Sequence, residues 1–205
     1  MLLAIDTSAG SSVAVVDRDG GVLAEHSVEN TMRHAEVIGG LIRDSLADAG
    51  VAARDLSGVA VGMGPGPFTG LRVGIAAARA FAFGAGKPVL PLVSHDAIAF
   101  GRYRDDAVGG MLVVTDARRR ELYWSAYVGA DEFGLPLREH GPGLCKPDAL
   151  PHPHLPRIDA RLVSAGALGL LAEQLFLHGH PFAAPEPLYL RSPDVTLSSG
   201  PKRVS

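Results

Sequence analysis

The chain has 205 residues, of which 47% are hydrophobic and 20% charged, and this composition excludes an intrinsically disordered protein. The formal net charge of −3 gives no basic surface of the kind that binding nucleic acid without a partner requires. The single cysteine, Cys145, excludes internal disulfides, and charged residues within the first twenty positions argue against a secretory signal or membrane anchor. We therefore expect a soluble cytoplasmic protein that makes no membrane contact.

The first hundred residues alternate between strand and helix patterns. Apolar runs at residues 1–5, 11–16 and 22–28 are separated by short turns, which predicts an antiparallel meander of three strands. Helical spacing of apolar residues predicts helices over 33–49, ended by Gly50, and over 69–84. Strands are predicted at 56–61 and 87–93, and Ser94 is predicted to cap a helix that runs to residue 100. This order of elements is that of one ribonuclease-H-like lobe.

The second half of the chain repeats part of the strand–turn–strand pattern with which the first half begins. Predicted strands at residues 111–115 and 121–128 flank a turn that starts at Asp116, as Asp6 follows the first strand. A strand at 161–164 and a helix at 168–178 follow a proline- and histidine-rich connector at 142–156. We expect an α/β protein with an N-terminal lobe at residues 1–103, a smaller, truncated C-terminal lobe at 104–197 and a disordered tail at 198–205.

A carboxylate and two hydroxyls, Asp6, Thr7 and Ser8, follow the first strand. In a phosphotransferase of the actin-like class this position binds the metal-bound phosphate of a nucleotide. In many hairpins, however, such side chains only hydrogen-bond their own turn. The second interpretation is favoured for Asp6 alone, and the three residues are proposed as a vestigial nucleotide loop.

The glycine- and proline-rich segment 62–74 joins a buried strand to a helix, a place where anions often meet backbone N–H groups. It lacks the Walker A pattern, and its prolines have no N–H to donate. We interpret it as a rigid turn that sets the direction of the helix. The residues that define this turn are Gly64, Pro65, Gly66, Thr69 and Gly70.

The two long predicted helices of the first half have surfaces suited to a partner. Apolar residues cover roughly half the circumference of helix 33–49, more than the stripe of about 100° that a sheet requires. Small residues along helix 69–84 allow another helix to come close. A second contact is therefore expected for helix 33–49, most simply with another protein, although a covering C-terminal segment of this chain would also explain it. The candidate interface residues are His34, Val37, Ile38, Leu41, Ile42, Arg72, Val73, Ala76, Arg79 and Ala80.

No catalytic residue and no metal ligand set emerges from the histidines and the cysteine. His95 would need a second histidine one helical turn later to form a zinc or iron site, and Ala99 stands there. Cys145 lies in a predicted loop without an assigned base, so a thiol nucleophile is not expected.

Five segments together resemble the bacterial TsaB family, also called YeaZ: residues 3–8, 33–36, 61–74, 116–119 and 189–191. The resemblance implies the two-lobe actin/Hsp70/sugar-kinase fold. It also implies a non-catalytic subunit in the synthesis of N6-threonylcarbamoyladenosine (t6A) at position 37 of tRNAs that read ANN codons. Such a subunit forms a heterodimer with the paralogous TsaD, which carries the metal and transfers the threonylcarbamoyl group. The ATPase TsaE binds that pair, and tRNA would be contacted only through the complex.

Two alternatives to the partner subunit stay open at this point. A nucleotide-dependent phosphotransferase or ATPase of the same fold is favoured by Asp6, Thr7 and Asp116 but opposed by the prolines of segment 62–74. A metalloprotease-like glycoprotease is opposed by Ala99, where the catalytic paralogue has its second histidine. The chain alone is expected to bind no cofactor. Whether ATP or ADP binds at the seam of the complex, and whether the isolated chain forms a homodimer, is left open.

Overall fold

The structure, a computed structural model, describes residues 1–29 and 33–191. The first lobe is built from β1 (Leu2–Asp6), β2 (Ser11–Asp17), β3 (Gly21–Val28), α1 (His34–Ala49), β4 (Gly58–Gly62), α2 (Phe68–Ala85), β5 (Val89–Leu92) and α3 (Ser94–Arg104). It is followed by β6 (Met111–Asp116), β7 (Leu122–Ala130), β8 (Pro136–Cys145), β9 (Arg157–Ala160) and α4 (Ala165–Leu177). The predicted tail at 198–205 lies outside the described residues.

The first sheet has the strand order β3-β2-β1-β4-β5. Strands β1, β2 and β3 pair antiparallel, which confirms the predicted meander, whereas β4 and β5 join in parallel. Residues of β1 alternate between two apolar layers: Leu3 and Ile5 pack under α1 and α2, while Leu2 and Ala4 pack under α4. Because helices cover both faces, β1 is buried along its whole length.

The second sheet has the order β8-β7-β6-β9, in which β9 runs parallel to β6. It therefore repeats the arrangement of the first sheet over β3, β2, β1 and β4 and has no counterpart of β5 among the described residues. Helix α4 follows this sheet in the chain, yet it packs against β1 and β2 of the first sheet. The two halves are thereby interlocked.

Three local predictions are wrong. The predicted connector at 142–156 overlaps an edge strand, because β8 continues to Cys145. The strand predicted at 161–164 lies earlier, at Arg157–Ala160, where it pairs with β6. Ser94 does not cap α3: Val93 occupies the cap position, and the Ser94 hydroxyl bonds elsewhere. Gly50 does end α1 in the left-handed conformation, with φ of 66°.

The residues after α4 run back along the first lobe. The Ala183 N–H donates to the carbonyl of Pro91, and the Leu188 N–H donates to that of Met63. Arg191 then reaches the second lobe, where its guanidinium donates to the carbonyl of Ala117. We call residues 183–191 the C-terminal strap. Within the residues the structure describes, no helix is long and apolar enough to cross a membrane.

Candidate functional site

The carboxylate of Asp6 is buried and saturated by hydroxyl and amide donors. Its Oδ1 accepts hydrogen bonds from the N–H of Ser8 at 2.7 Å and from the Ser8 hydroxyl at 2.6 Å. Its Oδ2 accepts one from the Ser94 hydroxyl at 2.5 Å. Burial raises the pKa of this carboxyl, and these hydrogen bonds oppose that shift. Asp6 therefore holds its own turn to the start of α3.

Thr7 is bound in the same way, to the first turns of α2. Its hydroxyl donates to the carbonyl of Gly70 at 2.7 Å and accepts from the N–H of Gly74 at 3.1 Å. A Cβ at Gly74 would overlap with the Thr7 hydroxyl, and one at Gly70 would lie 2.7 Å from the Thr7 carbonyl oxygen. Only glycine at these two positions lets α2 come this close to the turn.

The glycine- and proline-rich turn that precedes α2 packs against Asp6 and Ser8. A Cβ at Gly66 would lie 2.8 Å from Cα of Ser8, and one at Gly62 would overlap with the Asp6 carboxylate. Gly64 has φ of 97°, a region that favours glycine, and its N–H donates to the Ser94 hydroxyl at 3.1 Å. Pro65 is buried, whereas Thr69 is exposed in the first turn of α2. The polar groups that would meet a phosphate at Asp6 are thus engaged within the protein.

His95 joins the two lobes. Its Nδ1 lies 2.8 Å from the hydroxyl of Ser125 on β7, and its Nε2 lies 2.9 Å from that of Thr115 on β6. The imidazole is fully buried, and burial lowers its pKa to about 3, helped by the charge of Arg138. A neutral ring donates one of these hydrogen bonds and accepts the other.

Neither Asp96 nor Cys145 has the surroundings of a reactive group. Asp96 accepts hydrogen bonds from the Tyr127 hydroxyl at 2.7 Å and from Arg138 at 2.9 Å, a second contact between α3 and the second sheet. Burial raises the pKa of the Cys145 thiol, which disfavours the thiolate. Among the described residues, no group of three or more histidine, cysteine or acidic side chains is placed to hold a metal ion.

The structure divides the candidate interface residues of α1 by burial. His34, Ile38 and Leu41 are at most 9% exposed, and His34 Nδ1 lies 2.7 Å from the Ser11 hydroxyl. Val37 and Ile42 are half-buried and pack against the same core. Because α1 contacts α2 as well as the sheet, a neighbour within the chain accounts for part of its wide apolar arc.

Helix α2 presents a stripe of exposed residues to solvent. Ala76, Ala80 and Phe83 recur at helical spacing on one face, and Phe83 is 90% exposed. We call these three residues the α2 stripe. Val73, one turn before Ala76, is half-buried in the core. Phe83 was not among the predicted interface residues. Its position seven residues after Ala76, about two helical turns, indicates that both side chains lie on the same face of α2.

Arg72 and Arg79 are engaged by the C-terminal strap. The Arg72 guanidinium lies 3.6 Å from the ring centroid of Phe68 and donates to the Tyr189 hydroxyl at 3.3 Å. Arg79 donates to the carbonyl of Pro185 at 2.6 Å. The strap thus contacts this flank of α2, whereas the C-terminal cover considered from the sequence concerned helix 33–49.

Two lobes of repeated topology, with an aspartate-containing turn at the start of each, define a protein of the actin/Hsp70/sugar-kinase class. The family model for TsaD, tRNA N6-adenosine threonylcarbamoyltransferase, matches residues 5–192. The Escherichia coli tRNA threonylcarbamoyladenosine biosynthesis protein TsaB is 32% identical over 165 residues, which cover 80% of this chain and 70% of that protein. The chain belongs to the TsaB (YeaZ) family.

Two further comparisons bear on how much of the fold is shared. The solved structure of YeaZ from Pseudomonas aeruginosa has a TM-score of 0.77 at 27% identity, covering 92% of this chain and 99% of that one. A Mycobacterium tuberculosis protein is 44% identical over 128 residues, 62% of this chain. The match spans 58% of that mycobacterial relative, so the chain covers less than two thirds of its length.

Proposed function

We propose that this chain is a non-catalytic partner subunit in t6A synthesis that forms a heterodimer with a TsaD paralogue in the cytoplasm. TsaE joins that pair, and tRNA is contacted through the complex. Membership in the TsaB family supports the pathway, because the E. coli relative is named for t6A biosynthesis. The match to the TsaD family model supports pairing with a chain of the same fold.

The observation that carries the partner role is the α2 stripe. Phe83 leaves 90% of its surface in water, beside two alanines that add little bulk. Large apolar side chains in such positions are typical of the centre of an interface, where a few residues dominate the binding energy. A helix of the paralogue packed on the α2 stripe would bury them.

The interior of the Asp6 turn argues against the phosphotransferase alternative. A kinase or ATPase needs carboxylate and hydroxyl groups that can turn to the metal and phosphate. Here Asp6 and Thr7 bond to Ser94 and to α2. Asp116 accepts from the N–H of Arg118, within its own turn. We propose that the chain alone carries no catalytic cofactor, and that any ATP or ADP binds at the seam with TsaD.

Reconstitution with the purified TsaD paralogue of the same organism tests this function. We expect the two chains to co-elute on size exclusion and tRNA modification to require both, with this chain inactive alone. Depletion of this chain in cells should lower t6A in a tRNA nucleoside analysis. Formation of t6A by this chain alone would refute the non-catalytic role, and unchanged t6A after depletion would refute the pathway. Light scattering of the isolated chain would show whether the α2 stripe also supports a homodimer.

A further inference from the structure

A small cavity of about 200 Å³ lies between α3, α4, β8 and the residues that lead into the C-terminal strap. Of its nine described lining residues, two are charged: Asp96 of α3 and Arg138 of β8, which contact each other at 2.9 Å. None of Asp6, Thr7 and Ser8 lines it. The cavity is therefore separate from the Asp6 turn.

The ion pair in this cavity leaves two hydrogen-bonding atoms for a ligand. Oδ1 of Asp96 accepts from the Tyr127 hydroxyl at 2.7 Å and from Nε of Arg138 at 2.9 Å. Nη1 of Arg138 donates to the carbonyl of Gly141 at 2.8 Å. Within the part of the chain that the structure describes, Oδ2 of Asp96 and Nη2 of Arg138 have no hydrogen-bond partner. A carboxylate oxygen and a guanidinium nitrogen of one contacting pair are thus available together.

The rest of the cavity wall is apolar. The other seven lining residues include Leu92 at the end of β5, Leu171 and Leu175 of α4, and Ala183 of the strap. The Ala183 N–H donates to the carbonyl of Pro91 at 3.0 Å, which fixes the strap against β5 as one side of the cavity. Apolar surroundings strengthen the attraction between a charge in the wall and an opposite charge on a ligand. They also favour a ligand that brings an aliphatic group out of water.

We propose that this cavity binds a free α-amino acid with a small aliphatic side chain, such as leucine or valine. The ammonium group donates to Oδ2 of Asp96, the carboxylate accepts from Nη2 of Arg138, and the side chain packs against the leucines of the wall. A peptide terminus has only one of these two charged groups and would leave the other side of the ion pair unmatched. The volume is below the roughly 300–1,000 Å³ typical of ligand pockets, which restricts the site to a small ligand.

Calorimetric titration of the full chain with L-leucine tests this site. The matched ligands are isocaproate, which is leucine without its ammonium group, and L-leucinamide, which has no carboxylate. We expect each of them to bind at least roughly tenfold more weakly than L-leucine, because each loses one charge-assisted hydrogen bond. Binding of either analogue as tightly as L-leucine would overturn the proposal, as would the absence of heat with L-leucine.

The position of the site is tested by Ala183→Leu, whose larger side chain fills the cavity. The matched control is Ala184→Leu, because Ala184 is exposed and does not line the cavity. We expect Ala183→Leu to weaken L-leucine binding at least roughly tenfold, and Ala184→Leu to bind within about twofold of the unaltered chain. Equal binding by the two variants would place the ligand elsewhere and overturn the proposal.

A second variant covers the case in which Ala183→Leu unfolds the chain, as judged by circular dichroism. Asp96→Asn keeps an acceptor for Tyr127 and Arg138 but places an amide N–H₂ group where the ligand's ammonium group binds. We expect it to weaken L-leucine binding at least roughly tenfold while binding of isocaproate stays within about twofold, because isocaproate has no ammonium group. Undiminished binding of L-leucine by Asp96→Asn would overturn the proposal.

Discussion

The imidazole Nε2 of His95 lies 2.9 Å from the Thr115 hydroxyl, and this pair connects α3 of the first lobe to β6 of the second. The ring has no exposed surface, and its other nitrogen meets Ser125. His95 therefore serves as a buried hydrogen-bonding bridge between the lobes.

The first prediction concerns the pH dependence of unfolding. The pKa of His95 falls from 6.5 to about 3 on folding, so between these values the unfolded chain binds a proton that the folded chain does not. The contribution of neutral His95 to the free energy of unfolding is therefore fully present above pH 6.5. It is lost as the pH falls below that value, by about 1.4 kcal/mol per pH unit. We expect the difference in unfolding free energy between the unaltered chain and His95→Gln to shrink on acidification in urea titrations. A difference independent of pH would show that His95 is solvated.

The second prediction concerns metal content. Because both ring nitrogens of His95 already have hydroxyl partners, and Ala99 offers no second ligand, protein purified without chelators should contain no stoichiometric zinc or iron. Elemental analysis by mass spectrometry measures this directly. One tightly bound equivalent that disappears in His95→Gln would contradict the prediction.

The third prediction compares two glycines of α2. Alanine normally stabilises a helix interior by about 1 kcal/mol relative to glycine. Gly84→Ala has open space around its Cβ and should be neutral or stabilising, by less than this amount because the helix ends one residue later. Gly74→Ala should destabilise by several kcal/mol despite the same propensity gain, since its Cβ overlaps with Thr7. Thermal melts of both variants measure the contrast, and equal effects would mean that α2 shifts freely away from the turn.

The fourth prediction concerns Asp6. Asp6→Ala leaves the buried hydroxyls of Ser8 and Ser94 without an acceptor, which should cost on the order of 3 kcal/mol of unfolding free energy. Asp6→Asn keeps the shape and one acceptor, so it should lose less. The folded fraction of either variant should still support t6A formation in the reconstituted complex. A normal melting temperature combined with abolished modification would restore a nucleotide role to Asp6.

The fifth prediction concerns the α2 stripe. Ala76→Glu combined with Phe83→Glu should leave the melting temperature nearly unchanged, because both positions are exposed, yet abolish co-elution with the TsaD paralogue. Val108→Glu is the matched control, since Val108 is 92% exposed but lies between α3 and β6. Co-elution of the double variant at the level of this control would place the interface elsewhere.

The elements of the first lobe could be predicted because their signals are local. Short apolar runs between turns mark β1 and β2, helical periodicity marks α1, and Gly50 marks its end. Strand β8 could not be predicted in this way. It lies at the edge of its sheet, where exposed charged residues and proline are tolerated and no apolar alternation is required.

Contacts between distant parts of the chain were the hardest to predict. Ser94 has the residue type and position of a helix cap, but it donates to Asp6, 88 residues earlier. Helix α4 follows the strands of the second half in the sequence, but its apolar residues pack against the first sheet. The place of Arg72 and Arg79 on α2 predicts contact with a partner, but the strap that engages them follows more than a hundred residues later. Residue spacing carries no information about such pairings.

The contacts that interlock the halves bear on the thermodynamics of assembly. His95, Asp96 and the C-terminal strap each bond across the cleft, so a hinge motion would expose buried hydrogen-bonding groups on both sides. Many enzymes depend on such a closing motion when they bind substrate. We expect a chain whose lobes are bonded together in this way to meet a protein partner with its surface already in the bound shape. Little conformational entropy is then lost on association, and mutations at the cross-cleft contacts should weaken assembly without touching the contact surface.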